Sequence, residues 1–273
     1  MNLKGTPMKM PRLGLGTFRL KGEQALASVR MGLELGYRHL DTAQIYDNEA
    51  EVGQALAESG VARSDVFVTT KIWTEHLAAD KLAASLKESL RKLRLEQVDL
   101  TLIHWPSPDG ATPLADTMQA LLAAREAGLS AAIGVSNFPV ALMREAAQVV
   151  GADNIATNQV ELHPYLQSPA LRAAARELGV HLTAYMPLAY GKVIDDPAIQ
   201  AVGARHGATA AQVSLAWLMA KGYAVIPSST RRENLAANLK ARELVLDAGD
   251  IAALDALDRG ERLVSPDFAP QWD

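Results

Sequence analysis

The segment Gly36-Tyr37-Arg38-His39-Leu40-Asp41-Thr42-Ala43-Gln44-Ile45-Tyr46-Asp47-Asn48-Glu49 runs from a helix stop through a strand and a loop to the next helix start. Glycine is a favoured helix terminator, so Gly36 ends the apolar stripe of residues 23–35, where Ala25, Leu26, Val29 and Leu33 recur at helical spacing. Residues 37–40 read as a strand that delivers Asp41. Helix signals resume at Asn48, which leaves Tyr46 in the loop between them. A carboxylate and a phenol therefore share one strand-end rim.

The same grammar repeats outward from this segment. Residues 66–70 form an apolar run that ends in Lys71, and residues 98–103 form another that ends in His104. If these runs are neighbouring parallel strands, Asp41, Tyr46, Lys71 and His104 converge at one end of one sheet. Counting every such run gives eight strands, at 13–17, 37–40, 66–70, 98–103, 131–135, 155–160, 180–185 and 223–226. Helical stripes separate them, with ten helices expected in all; Leu82, Leu86, Leu90 and Leu93 give the cleanest. Pro169 behind Ser168 and Pro197 behind Asp196 are good helix starts, because proline is tolerated at the first helical position. Eight strand-helix units without a break in composition predict an α/β fold, a single (β/α)8 barrel over residues 1–273, preceded by a short β-hairpin at residues 3–10. A doubly wound open sheet is the alternative architecture. It calls for a glycine-rich first turn, but after Gly14 and Gly16 the third glycine of that fingerprint falls on Arg19.

Composition excludes several functions. The 273 residues are 49% hydrophobic and 21% charged, with no tract apolar enough to span a bilayer. A net charge of −4 offers no positive field for nucleic acid. The absence of cysteine removes disulfides and thiolate metal sites and fits a cytoplasmic location. No metal site is expected, and the expected partner is a small molecule.

In a barrel of this kind the carboxyl ends of the strands face ligand. Those ends carry Asp41, Lys71, His104, Ser136-Asn137, Gln159 with Glu161, Tyr185 and Ser228-Ser229-Thr230, nearly all of them hydrogen-bonding groups. Together with Trp73, His104-Trp105-Pro106, Gly134-Val135-Ser136-Asn137-Phe138, Glu161-Leu162-His163-Pro164 and Ile226-Pro227-Ser228-Ser229, they make the whole chain resemble the aldo-keto reductase family. The resemblance implies an NADPH-dependent oxidoreductase that reduces small aldehydes and ketones, such as methylglyoxal, 2,5-diketo-D-gluconate and simple aldehydes. It also implies a monomer.

The implied chemistry has a physical rationale. Hydride delivery to a carbonyl leaves negative charge on oxygen, and a positioned general acid lowers that barrier. Tyr46 is the candidate acid. Lys71 would lower the tyrosine pKa by stabilising phenolate, Asp41 would keep Lys71 charged, and His104 would orient the carbonyl. By family position, Ser136, Asn137 and Gln159 would hold the nicotinamide carboxamide, Tyr185 would stack on its ring, and Leu188 would lie along the cofactor. Ser228, Ser229, Thr230, Arg231, Arg232, Asn234 and Asn238 would take the adenosine end. Ser228 stands where many relatives have lysine, Asn234 where they have arginine, and Met186 where serine is common, so Arg231 and Arg232 are left to meet the 2′-phosphate. Phe18, Trp73 and Trp105, with Tyr46 and His104, would bind the substrate, and Trp272 is a further candidate for this collar.

Two rival functions keep the barrel. One makes Lys71 the Schiff-base lysine of an aldolase or isomerase, which requires a neutral amine. The other is a regulatory barrel that binds cofactor with little turnover.

Overall fold

A computed structural model describes residues 10–273, and the hairpin expected at 3–10 lies outside the described residues apart from Met10. Eight strands form one parallel sheet in sequential order: β1 (Leu15–Gly16), β2 (His39–Asp41), β3 (Phe67–Ile72), β4 (Val98–Ile103), β5 (Ser130–Ser136), β6 (Ile155–Glu161), β7 (His181–Tyr185) and β8 (Ala224–Val225). The sheet closes on itself. Leu13 bridges Val225 in parallel, Gly14 N donates to Val225 O at 2.9 Å, and Val225 N donates to Arg12 O at 2.8 Å. Eight parallel strands alternating with helices are therefore a (β/α)8 barrel.

The helices are α1 (Gly22–Leu35), α2 (Glu49–Glu58), α3 (Ala79–Leu93), α4 (Leu114–Glu126), α5 (Val140–Val150), α6 (Pro169–Leu178), α7 (Pro197–His206), α8 (Ala210–Ala220), α9 (Arg232–Lys240) and α10 (Ala248–Asp255). Their buried stripes are those the sequence spacing predicts. On α3, Leu82, Leu86, Leu90 and Leu93 are all buried against the barrel, and each contributes about 1.5–3 kcal/mol of hydrophobic stabilisation. Asp196 caps α7, and Thr209 and Asp247 close capping boxes on α8 and α10.

Two features aim the rim. The seam between β1 and β8 is tight: a Cβ on Gly16 would lie 2.5 Å from Ile226 O, so only glycine fits there. At Gly134, a Cβ would lie 2.6 Å from Thr157 O, and the pairing of β5 with β6 shifts register between Ile133 and Val135. That irregularity re-aims the chain just before Ser136 and Asn137.

The strand boundaries differ from expectation in one useful way. β2 extends to include Asp41 and β3 continues past Lys71 to Ile72. Both side chains are thus held by paired backbone instead of by loop.

Candidate active site

Asp41 and Lys71 are the deepest charged pair in the barrel, with side chains 2% and 0% exposed. Lys71 Nζ donates to Asp41 Oδ1 at 2.5 Å, to Thr42 O at 2.9 Å and to Tyr46 Oη at 3.3 Å. Three acceptors match the three protons of an ammonium. Burial pulls the Lys71 pKa below its ordinary value, while the charges of Asp41 and Glu49 oppose that fall. Glu49 is itself buried, with one oxygen accepting from Thr70 Oγ1 at 2.5 Å.

Tyr46 sits in a single turn, Gln44–Tyr46, stitched down on both sides. Gln44 Oε1 accepts from Trp73 N at 2.8 Å and its Nε2 donates to Ser89 Oγ at 3.1 Å. Asn48 Nδ2 donates to Thr17 O and Leu20 O at 2.9 and 2.8 Å, while its Oδ1 accepts from Thr42 Oγ1 at 2.6 Å. The phenol oxygen accepts from Lys71, so the hydroxyl proton remains available to a substrate. The expected lowering of the Tyr46 pKa is corrected here. Burial and the negative charge of Asp41 push it well above the ordinary tyrosine value. The larger cause is desolvation, since a phenolate in this pocket loses water, and the Asp41 carboxylate adds repulsion.

His104 follows β4 directly, and its backbone N–H donates to Ile72 O at 3.1 Å. Its ring meets Tyr46 and Trp73 edge-on, at 5.4 and 5.2 Å between centroids. Burial and the charge of Lys71 hold its pKa well below the usual histidine range, so the imidazole is neutral. Nδ1 is sealed without a partner. Nε2 is therefore the nitrogen left for a carbonyl oxygen.

The residues expected at the nicotinamide form one network with the catalytic pair. Gln159 Nε2 donates to Asp41 Oδ2 at 2.7 Å, and Ser136 Oγ donates to Gln159 O at 2.7 Å. Asn137 Nδ2 donates to His104 O at 3.0 Å, and Asn137 Oδ1 accepts from Tyr185 Oη at 2.8 Å. Asn137 takes a left-handed backbone at φ 62 to make this turn. The half-buried Tyr185 ring, oriented by that hydroxyl bond at the end of β7, suits a flat heteroaromatic ligand. Leu188 is half-buried just beyond, after Met186 in a left-handed conformation.

The segment after β8 is open by contrast. Ser228, Thr230, Arg231, Arg232 and Asn234 are exposed, Ser229 is half-buried, and Asn238 is buried beside Tyr37. Arg232 Nη1 donates to Glu34 on α1 at 2.7 Å, and Arg231 Nε lies 3.9 Å from Glu233. Both arginines thus reach this rim, each beside a carboxylate that a phosphate would have to displace.

Phe18 lies 5.2 Å from Tyr46 between centroids, and Trp73 and Trp105 are both held within 6 Å of Phe268. Trp272 joins the collar edge-on to Trp105 at 6.0 Å. Phe268, Gln44 and Asn48 are the contributors that sequence reasoning did not single out. Phe268 is one aromatic in a proline-rich tail with no periodicity to mark it, whereas Gln44 and Asn48 stand inside the opening segment as polar residues flanking Tyr46. Glu161 has a use its strand-end position only hinted at: its carboxylate accepts from His163, Leu263 N and Val264 N at 2.9, 2.8 and 2.9 Å, pinning the C-terminal tail to β6. A cavity of about 430 Å³ lies behind Phe268, between Ile103, Phe138 and Leu142. Among the described residues, no group of three or more His, Asp or Glu could hold a metal ion, and no helix is long and apolar enough to cross a membrane.

Known proteins resemble this chain in sequence and in fold. A methylglyoxal reductase DkgB of Salmonella typhimurium is 60% identical over 267 residues, covering 97% of this chain and all of that protein. An aldo-keto reductase of Mycolicibacterium vanbaalenii is 41% identical over 93% of this chain and 90% of its own. Among solved structures, one provisionally named a 2,5-diketo-D-gluconic acid reductase B superposes with a TM-score of 0.93 at 46% identity, covering 97% of this chain and 94% of that one. The aldose reductase of Schistosoma japonicum superposes at 0.90 with 29% identity, covering 96% of this chain and 95% of its own. The sequence profile of the Aldo/keto reductase family matches residues 12–259, and the chain belongs to that family.

Proposed function

We propose that this oxidoreductase reduces small aldehydes and ketones with NADPH, using Tyr46 as the general acid. The observation that carries the reading is the single contact set of Lys71, which binds Asp41, Thr42 O and the Tyr46 hydroxyl oxygen at once. When bound, the nicotinamide supplies the hydride. The protein's own groups manage the proton and the orientation of the carbonyl.

With its pKa held above the ordinary value, Tyr46 keeps its proton at neutral pH. As its proton moves to the carbonyl oxygen, the phenolate that remains lies 3.3 Å from the Lys71 ammonium, so the stabilising charge acts most strongly as the phenolate forms. Neutral His104, with Nε2 as its accessible nitrogen, donates a hydrogen bond to the same oxygen from a second side. Ser136, Asn137, Gln159 and Tyr185 would position the nicotinamide, Leu188 would lie along it, and Ser228 to Asn238 would take the adenosine phosphates, where the start of α9 adds its amides. Phe18, Trp73, Trp105, Phe268 and Trp272 keep water from the carbonyl. The Schiff-base alternative is weaker, because all three Lys71 protons have acceptors. By their names the relatives act on methylglyoxal and 2,5-diketo-D-gluconic acid, and we take both as test substrates for this chain. We also place the chain in the cytoplasm as a monomer.

The test is Tyr46→Phe. Carbonyl reduction should fall by about 10²- to 10⁴-fold, the usual contribution of a general acid, while NADPH still quenches tryptophan fluorescence. Wild-type turnover by this variant would reject Tyr46 as the acid. Consumption of NADPH by the wild-type protein with methylglyoxal, aromatic aldehydes and a diketo sugar acid separates an enzyme from a cofactor-binding regulator.

A further inference from the structure

Arg262 is a guanidinium without a partner at the substrate collar. It lies in the tail after α10, half-buried, and among the described residues it makes no hydrogen bond or ion pair. Other cations on this rim are engaged: Lys71 with Asp41, and Lys192 and Arg259 with Glu261. Arg19 is stacked between Phe18 and Tyr190 on the β1 side. A half-buried guanidinium with no hydrogen bond of its own has donors left for an anion that reaches it.

Its geometry is that of a prepared anion fork. The Arg262 Cζ lies 3.6 Å from the centroid of the Trp272 ring, and Trp272 is in turn edge-on to Trp105. Stacking occupies the face of the guanidinium and leaves its in-plane N–H groups free, the arrangement that binds a carboxylate with two parallel hydrogen bonds. The position is fixed as well, since the next two residues, Leu263 and Val264, donate their amides to Glu161. The charged groups facing Arg262 are Glu161 and Asp273, with the Tyr185 phenol beside them. Both carboxylates are already committed, Glu161 to three donors and Asp273 to the Val140 amide at 3.1 and 3.0 Å.

We infer that Arg262 is a specificity residue that reads a carboxylate on the substrate, so that carbonyl compounds carrying an acid group beyond the reacting carbon are held by the Arg262 fork while Tyr46 and His104 hold the carbonyl. This inference rests on the carbonyl-reductase reading and names a substrate class for it. Neutral carbonyl compounds reach the same catalytic groups without using Arg262.

The experiment compares two aldehydes of equal chain length, 4-oxobutanoate and butanal, with the wild-type protein, Arg262→Gln and Arg262→Lys. For Arg262→Gln, kcat/KM on 4-oxobutanoate should fall at least about tenfold, mainly through KM, as expected on losing a charge-assisted pair, while butanal changes by less than about twofold. Arg262→Lys should lie between, keeping the charge without the fork. In the wild-type protein, independently of any variant, succinate should compete with butanal and succinamide should not. Equal losses on both aldehydes, or no loss on either, would reduce Arg262 to a support for Trp272 and overturn the inference, as would equal inhibition by succinate and succinamide. Failure of the wild-type protein to reduce butanal at all would instead bring down the underlying reading and this one with it.

Discussion

The rim over β2 to β4 and the rim beyond β8 use the same chemistry, a lysine or arginine beside a carboxylate, in opposite ways. Lys71 and Asp41 are sealed, at 0% and 2% exposure, whereas Arg232 and Glu34 stand at 50% and 59%. In the first place water cannot replace a missing partner, so every group depends on its neighbours. In the second, solvent screens the pair and either member can be exchanged at little cost. The Lys71 end of the rim is therefore held by electrostatics, and the Arg232 end is adjustable.

The hardest blow to that contrast is Lys71→Met. It leaves Asp41 buried without its counter-charge, and removing one member of a buried pair costs about 3–5 kcal/mol. We expect a urea midpoint lowered accordingly and turnover reduced by about 10²-fold or more. Adding Asp41→Asn to Lys71→Met should restore part of the stability and none of the turnover. If Lys71→Met were as stable as the wild-type chain, the pair would not be interlocked.

Gln159→Leu probes the next shell. Asp41 Oδ2 would lose the amide donor at 2.7 Å, and a buried acceptor without its donor costs about 1–3 kcal/mol. Nicotinamide affinity should drop as well if the Gln159 amide meets the carboxamide, whereas the Ser136 contact, made to the Gln159 backbone carbonyl, stays in place. A stability change with unaltered cofactor binding would separate the two duties.

How far this contrast was readable beforehand differs between the two rims. Asp41, Lys71 and His104 each follow an apolar run, with Tyr46 in the short loop after the first, and parallel strands bring the ends of such runs together. The order of elements was legible for the same reason, with all ten helices and eight strands present. What stayed hidden depends on distance in space without distance rules in sequence. Nothing in the tail predicts that Phe268 meets Trp73, or that Glu161 would hold Leu263 and Val264 across about a hundred residues. The direction of the Tyr46 shift was misread because the sequence names the cation and its carboxylate but not how far the pocket strips water from the phenol. Arg232 was legible as a cation for the expected phosphate, but its pairing with Glu34 joins α1 to α9, helices far apart in sequence that the closed seam of β1 and β8 brings together.

Acid should act on the buried interior of the barrel. Burial holds the imidazoles of His39, His104 and His181 below their ordinary value, and no histidine lies after β8. Below about pH 6.5 the unfolded chain binds protons at these positions and the folded chain does not. Stability must then fall as pH decreases, and the urea midpoint should drop between about pH 7.5 and pH 5.5. His104→Gln should flatten part of that fall. On the kinetic side, the raised Tyr46 pKa predicts that carbonyl reduction is flat through neutrality, while alcohol oxidation, which needs the phenolate, climbs with pH.

The smallest effect belongs to the exposed rim and is the sharpest test of cofactor choice. Glu34 holds Arg232 through one exposed contact, worth at most about 1 kcal/mol. If Arg232 meets the 2′-phosphate, Glu34→Gln releases it and removes a repelling charge, so NADPH should bind up to about fivefold more tightly while NADH is unchanged. Arg232→Ala should weaken NADPH alone, and Glu34→Gln should then have no effect on top of it. Raising the salt concentration should shrink the gain from Glu34→Gln, since an exposed pair is screened. Equal responses of NADPH and NADH would move the 2′-phosphate contact to Arg231, whose carboxylate neighbour Glu233 is 3.9 Å away and holds it less firmly.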